Sequence, residues 1–91
     1  MDCPIVFSAH AISKMQDRGV TEEDVIRAIR IGRREAARRG LWQYRLNLEF
    51  RRDWAGKHYG MCQVAPVVAE EEGQIVVVTV YAFYFQEGQE R

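Results

Sequence analysis

His10, Lys14 and Arg18 recur at four-residue intervals in the run SAHAISKMQDRG. On a helix, positions i, i+4 and i+8 stack along one edge. A histidine that titrates near neutrality can move protons, and two neighbouring cations can hold a phosphate and stabilise charge developing on it. Such a set suits metal-free cleavage of RNA, in which a base activates the ribose 2′-hydroxyl against the adjacent phosphate. The same spacing also describes an ordinary basic helix face, and a histidine beside alanines can simply pack or cap.

A second set lies in the last apolar segment, QIVVVTVYAFYF, where Thr79 and Tyr81 place two hydroxyls on one side of a strand. If Val76, Val78, Val80 and Ala82 face the helices, Thr79 and Tyr81 point the other way, and Arg45 and Asn47 can share that face. A sheet presenting Arg, Asn, Thr and Tyr could bind a nucleotide backbone; equally, threonine and tyrosine are ordinary strand formers. Trp42, Tyr44, Trp54 and Tyr59 lie near arginines, as where unpaired bases stack beside phosphates. Trp42 and Tyr44 fall on an apolar stripe and read as core, which leaves Trp54, placed in a turn, as the stacking candidate. Cys3, His10, His58 and Cys62 offer zinc-binding side chains but no close ligand pair, so no metal site is expected. No glycine-rich phosphate loop or HExxH is present, and no cofactor is expected.

The elements that must position these residues are marked by local signals. Ser8 is a good N-cap with Phe7 as hydrophobic staple, and Gly19 can end the first helix, giving about 8–18. Thr21, followed by Glu22, Glu23 and Asp24, opens a second helix over about 21–31, which Gly32 stops. Residues 33–40 read as a basic connector, loop or ragged helix extension. Trp42, Tyr44, Leu46, Leu48 and Phe50 alternate with polar residues, so 41–50 is a half-buried strand. A turn over Asp53–Gly56 leads to a strand over 57–69, where Pro66 marks an edge or an irregularity. The strand over 74–85 is apolar on both faces and reads as central. The expected architecture is α+β in a single domain, 1–91, with two N-terminal helices followed by a small, mostly antiparallel sheet of three to four strands.

Composition sets the remaining bounds. Ninety-one residues give one core, and 47% hydrophobic with 29% charged residues is ordinary for a globular chain. No apolar run is long enough for a membrane span, the first residues do not read as a secretory leader, and two isolated cysteines fit a reduced compartment; a soluble, cytoplasmic protein is expected. The net charge of zero conceals an uneven distribution. Residues 27–57 hold ten basic and three acidic residues, +7, against −3 for residues 1–26 and −4 for residues 58–91. Nine of those ten are arginines, the better phosphate forks, and Arg33 and Arg34 open the strip's densest part.

The run FSAHAISKMQDRGVTEEDVIRAI, with the later VVVTVYAF, resembles domain-of-unknown-function family 4258. Ser8, His10, Ala11, Arg18, Gly19, Val20, Asp24, Val25, Thr79 and Tyr81 carry the resemblance, which spans nearly the whole chain; Lys14 stands where the family often has arginine. That family is grouped by resemblance with RelE-like and barnase–EndoU–colicin-like toxin nucleases. The resemblance implies a RelE-like architecture and a metal-independent endoribonuclease with His10, Arg18 and Thr79 as catalytic positions. Lys14, Arg45, Tyr81, Arg33 and Arg34 are then the expected substrate-binding residues, and RNA and an antitoxin protein the expected partners. The alternative is a non-catalytic RNA- or protein-binding module using the basic strip; a third reading is a homodimer formed through Ile75–Phe85.

Overall fold

The computed structural model describes residues 3–88. Eight elements follow in order: β1 (Ile5–Phe7), α1 (Ala9–Arg18), α2 (Glu22–Ile31), β2 (Arg33–Ala36), a 3₁₀ turn (Arg38–Gly40), β3 (Trp42–Trp54), β4 (Lys57–Glu71) and β5 (Gln74–Phe85). The strands form one sheet in the order β1-β5-β4-β3-β2, antiparallel except for the short parallel pairing of β1 with β5. The class is α+β, with two helices and a sheet of five strands rather than three or four.

Both helices begin and end as their sequences dictate. The Ser8 hydroxyl accepts from the Ala11 N–H at 3.0 Å, and Gly19 closes α1 with φ of 71°. Thr21 and Asp24 form a reciprocal capping box at the start of α2. Ala11 and Met15 of α1 and Val25, Ala28 and Ile29 of α2 pack onto one sheet face against Tyr44, Cys62, Val64, Val68, Val77 and Val80. Trp42, Leu46, Leu48 and Phe50 join this core, as the alternation of β3 requires. Among the described residues the other sheet face carries no helix.

Residues 33–36 are not a connector but an edge strand, pairing Arg33 with Arg45 and Ala36 with Trp42. All four are exposed, so no apolar period marked them; the backbone ladder alone makes the strand. β1, absent from the expected architecture, is three residues long and too short to show a period. β3 runs past its expected end at 50 to Trp54, because a bulge with Arg51 at φ 48° keeps the strand going, and the turn falls within the expected 53–56 as a two-residue hairpin, Ala55–Gly56, both at positive φ. Pro66 sits in β4, the central strand, fully buried. Having no N–H, it accompanies a gap where the β3–β4 ladder skips Tyr44 and Arg45.

β5 is therefore not central: β4 flanks one side, and β1 covers only Ile75–Val77 of the other. A register shift next to Val78 pairs Val67 with Thr79 but Val68 with Val77. The extra residue reverses which side chains face inward. Ile75 and Val77 face the core before it and Val80, Ala82 and Tyr84 after it, so Val76 and Val78 do not join Val80 and Ala82 against the helices.

Candidate functional site

Where β1 stops, α1 takes over the edge of β5. The Ser8 N–H donates to the Val77 carbonyl at 3.1 Å, and the Ser8 hydroxyl donates to the Val78 carbonyl at 3.1 Å. Nearly three turns on, Arg18 Nη1 donates to the Val80 carbonyl at 2.9 Å. The Tyr84 hydroxyl returns the contact by donating to the Arg18 carbonyl. Arg18 thus ends at the sheet edge, its guanidinium carbon 5.2 Å from the centre of the Tyr81 ring.

Tyr81 and Thr79 line a cleft of about 440 Å³ on the helix-free face, with Ala37, Arg38, Leu41, Gln43, Val67 and Val78. One wall comes from the 3₁₀ turn, where Arg39 and Gly40 take φ of 59° and 74° and Leu41 exchanges backbone hydrogen bonds with Arg38 and Ala37. The floor is a cross-strand row, Gln43 opposite Val67 opposite Thr79. Thr79 Oγ1 has no hydrogen-bond partner among the described residues.

The sequence-derived candidates divide on this geometry. Arg18 meets Tyr81 although more than sixty positions separate helix from strand, and Tyr81 shares the cleft with Thr79, a cleft that Arg18 itself does not line. His10 is exposed at the start of α1, and among the described residues no hydrogen bond, ion pair or ring contact joins it to Thr79 or Arg18. Its position two helical turns before Arg18 sets them about 12 Å apart along the axis, with half-buried Lys14 between. Arg45 shares the cleft's sheet face but is engaged internally. It pairs with Glu35, donates Nη1 to Gln63 at 3.0 Å and donates Nη2 to Gln43 at 3.3 Å. Gln63, only 3% exposed, passes the chain of bonds to Asn47. Arg33 faces the same side as Arg45, its cross-strand partner, and is exposed. Arg34 turns to the helix side, over the Trp42 ring at 3.6 Å and paired with Glu70 at 3.2 Å.

Trp54 is not a free platform for bases. Its ring stacks on Tyr84 at 5.3 Å and lies against Gly19, filling the joint between α1 and the β3–β4 hairpin. Cys62, buried beside Tyr84, has its thiol pushed up to about 11 by desolvation, which keeps it protonated and unreactive. The Tyr84 phenol is raised too, first by burial and then by Cys62.

Gln43, Arg38 and Leu41 are the cleft residues that chemistry-first reading passed over. Gln43 shares the alternation of Arg45 and Asn47 and was open to notice on that ground. Arg38 and Leu41 arrive through the 3₁₀ turn after an edge strand that carries no sequence period.

Comparison with known proteins then places the chain. The model of the family described as domain of unknown function (DUF4258) matches residues 7–82, most of its length, so the chain belongs to that family. No curated protein and no solved structure matches.

Proposed function

We propose that this member of the family of unknown function acts on RNA as a metal-independent endoribonuclease-like domain of the RelE-like toxin type. The observation that carries the reading is the Arg18 guanidinium beside the Tyr81 ring, which together with Thr79 and Arg38 lines an open cleft. A cation, a hydroxyl and an aromatic ring at the mouth of a groove are what a phosphodiester with an unstacked base requires. Arg18 commits one donor to Val80, and a guanidinium has others to offer a phosphate. In this reading the RNA runs along the edge of α1 from Arg18, and His10, two turns away on that edge, takes the proton of a ribose 2′-hydroxyl or gives one to the leaving oxygen. Arg18 and Lys14 stabilise the charge that builds on the phosphate, while Thr79 and Tyr81 position it. A protein partner such as an antitoxin would act by covering this face.

The test is cleavage of several structured and unstructured RNAs in EDTA by native protein and by His10→Ala. A general acid–base residue contributes about 10²–10⁴-fold, so the variant should lose at least about 100-fold in rate. Native protein that leaves every RNA intact would remove the catalytic reading.

A second reading, a non-catalytic RNA-binding module, is favoured by one observation. Arg33, Arg38 and Arg39 are exposed and form no ion pair among the described residues. RNA that is bound in a salt-sensitive manner yet left uncut would select it.

A further inference from the structure

We infer that the cleft on the helix-free face is a nucleobase pocket that selects a keto base, guanine or uracil, through the side-chain amide of Gln43. The inference rests on the RNA reading above and specifies its substrate. Gln43, Val67 and Thr79 form one row across β3, β4 and β5. Two strand spacings put the ends of that row about 10 Å apart. Val67 supplies an apolar floor between two polar ends, and Leu41 and Tyr81 supply side walls. Tyr81 is 40% exposed; with the Arg18 guanidinium 5.2 Å and the Phe83 ring 6.4 Å from its ring centre, it offers a flat ligand an aromatic side wall rather than a free face. The cleft, at about 440 Å³, falls in the range of small-molecule sites.

The chemistry of a neighbour fixes which way the amide points. Arg45 Nη2 donates to the Gln43 oxygen at 3.3 Å, and because a guanidinium has no acceptor, only the oxygen can face it. Arg45 is itself anchored by Glu35 and Gln63, so it is not free to release that oxygen. The amide nitrogen has no acceptor among the described residues. Gln43 thus offers N–H donors to the cleft. Guanine presents O6 and N7, both acceptors, on the edge that carries its 6-oxygen, and uracil presents O4. Cytosine and adenine place an amine where those oxygens stand, which would meet the amide donor to donor; adenine keeps the N7 acceptor beside its amine, so guanine exceeds it by O6 alone. Thr79, whose hydroxyl can donate or accept, tolerates either kind at the far end.

The experiment is fluorescence-anisotropy binding of the full chain to four labelled 2′-fluoro pentanucleotides, which lack the attacking hydroxyl and stay uncut. They are pentauridylate, pentacytidylate, pentaadenylate and the guanosine-centred AAGAA. Pentauridylate and AAGAA should bind about tenfold more tightly than the other two, the worth of one good hydrogen bond plus the avoided donor clash. Gln43→Met, close in size but without donors, should bring all four affinities together. Gln43→Glu keeps one oxygen on Arg45 and turns the other into the cleft as an acceptor, so the order should reverse in favour of adenine and cytosine. Equal affinity of the native protein for all four overturns the inference and leaves the RNA reading standing. Binding to none of them at low salt overturns both.

Discussion

Replacing Gly19 by alanine probes the joint that holds α1, and with it His10, Lys14 and Arg18, against the sheet. Gly19 has φ of 71°, and a Cβ there would lie 2.5 Å from Trp54 Cζ3 and 2.9 Å from Cη2. The indole cannot simply retreat, because its ring stacks on Tyr84 and the Tyr84 hydroxyl holds the Arg18 carbonyl. Two costs add: about 1–2 kcal/mol for a left-handed alanine and about 1–3 kcal/mol for overpacking. Gly73 supplies the matched control, with φ of 77° and nothing within 4 Å of its Cβ position. Gly73→Ala meets only the first cost, and the entropy gained by stiffening the unfolded chain is common to both. At about 4–8 °C per kcal/mol for a domain of this size, Gly19→Ala should melt about 5–20 °C below Gly73→Ala. Thermal unfolding of both variants by circular dichroism measures the difference. Equal melting temperatures would refute the reasoning, since the Trp54 contact would then carry no energy.

Three other predictions concern the same joint and the same edge. Native protein at pH 8 should expose one thiol to a thiol reagent, that of Cys3, with Cys62 reacting only on unfolding. The Cys62 thiol ionises near 9 when unfolded and at about 11 when folded. The unfolded chain therefore loses the proton first, so stability is unaffected below pH 9 and falls as pH rises to 11. The drop is up to about 2.7 kcal/mol at about 1.36 kcal/mol per pH unit. Between pH 8 and pH 10.5 the unfolding free energy from denaturant melts should fall by about 1.8 kcal/mol more for the native chain than for Cys62→Ala, which keeps the contribution of the buried Tyr84 phenol; an equal fall in both would sink the claim. Arg18→Met should cost about 1–2 kcal/mol of stability, from the charged bond to the Val80 carbonyl and the contact with Tyr81. A melting temperature unchanged from native would show that the edge carbonyl is satisfied without it.

Much of the local structure was legible because its causes are local. Ser8, Gly19, Thr21 and Gly32 bracket the helices through bonds made within a few residues, and the alternation in β3 reports a strand with one buried face. Legibility failed where the cause lies elsewhere in the chain. β2 exists because β3 offers it a ladder, and its exposed side chains say nothing of that. Trp54 looked like a free turn residue, yet Gly19 and Tyr84, 35 and 30 positions away, enclose it. The bulge at Val78 reversed half of the expected facing of β5, since a single inserted residue shifts a period of two.

The sequence by itself determined the α+β class, the two helices and the spacing of His10, Lys14 and Arg18 along one of them, because capping and periodicity act over one or two turns. Only the tertiary structure decided which of these groups meet and which remain free. Strand register brought Thr79 opposite Val67 and Val67 opposite Gln43, and the uncovered edge of β5 drew Arg18 to Val80 and Tyr81. The same register bound Arg45 to Glu35, Gln63 and Gln43 and so removed it from the open charges of the strip. Charge along a chain is additive, but the field at a cleft depends on which ions already have partners, and pairing is settled by distances that only the folded sheet defines.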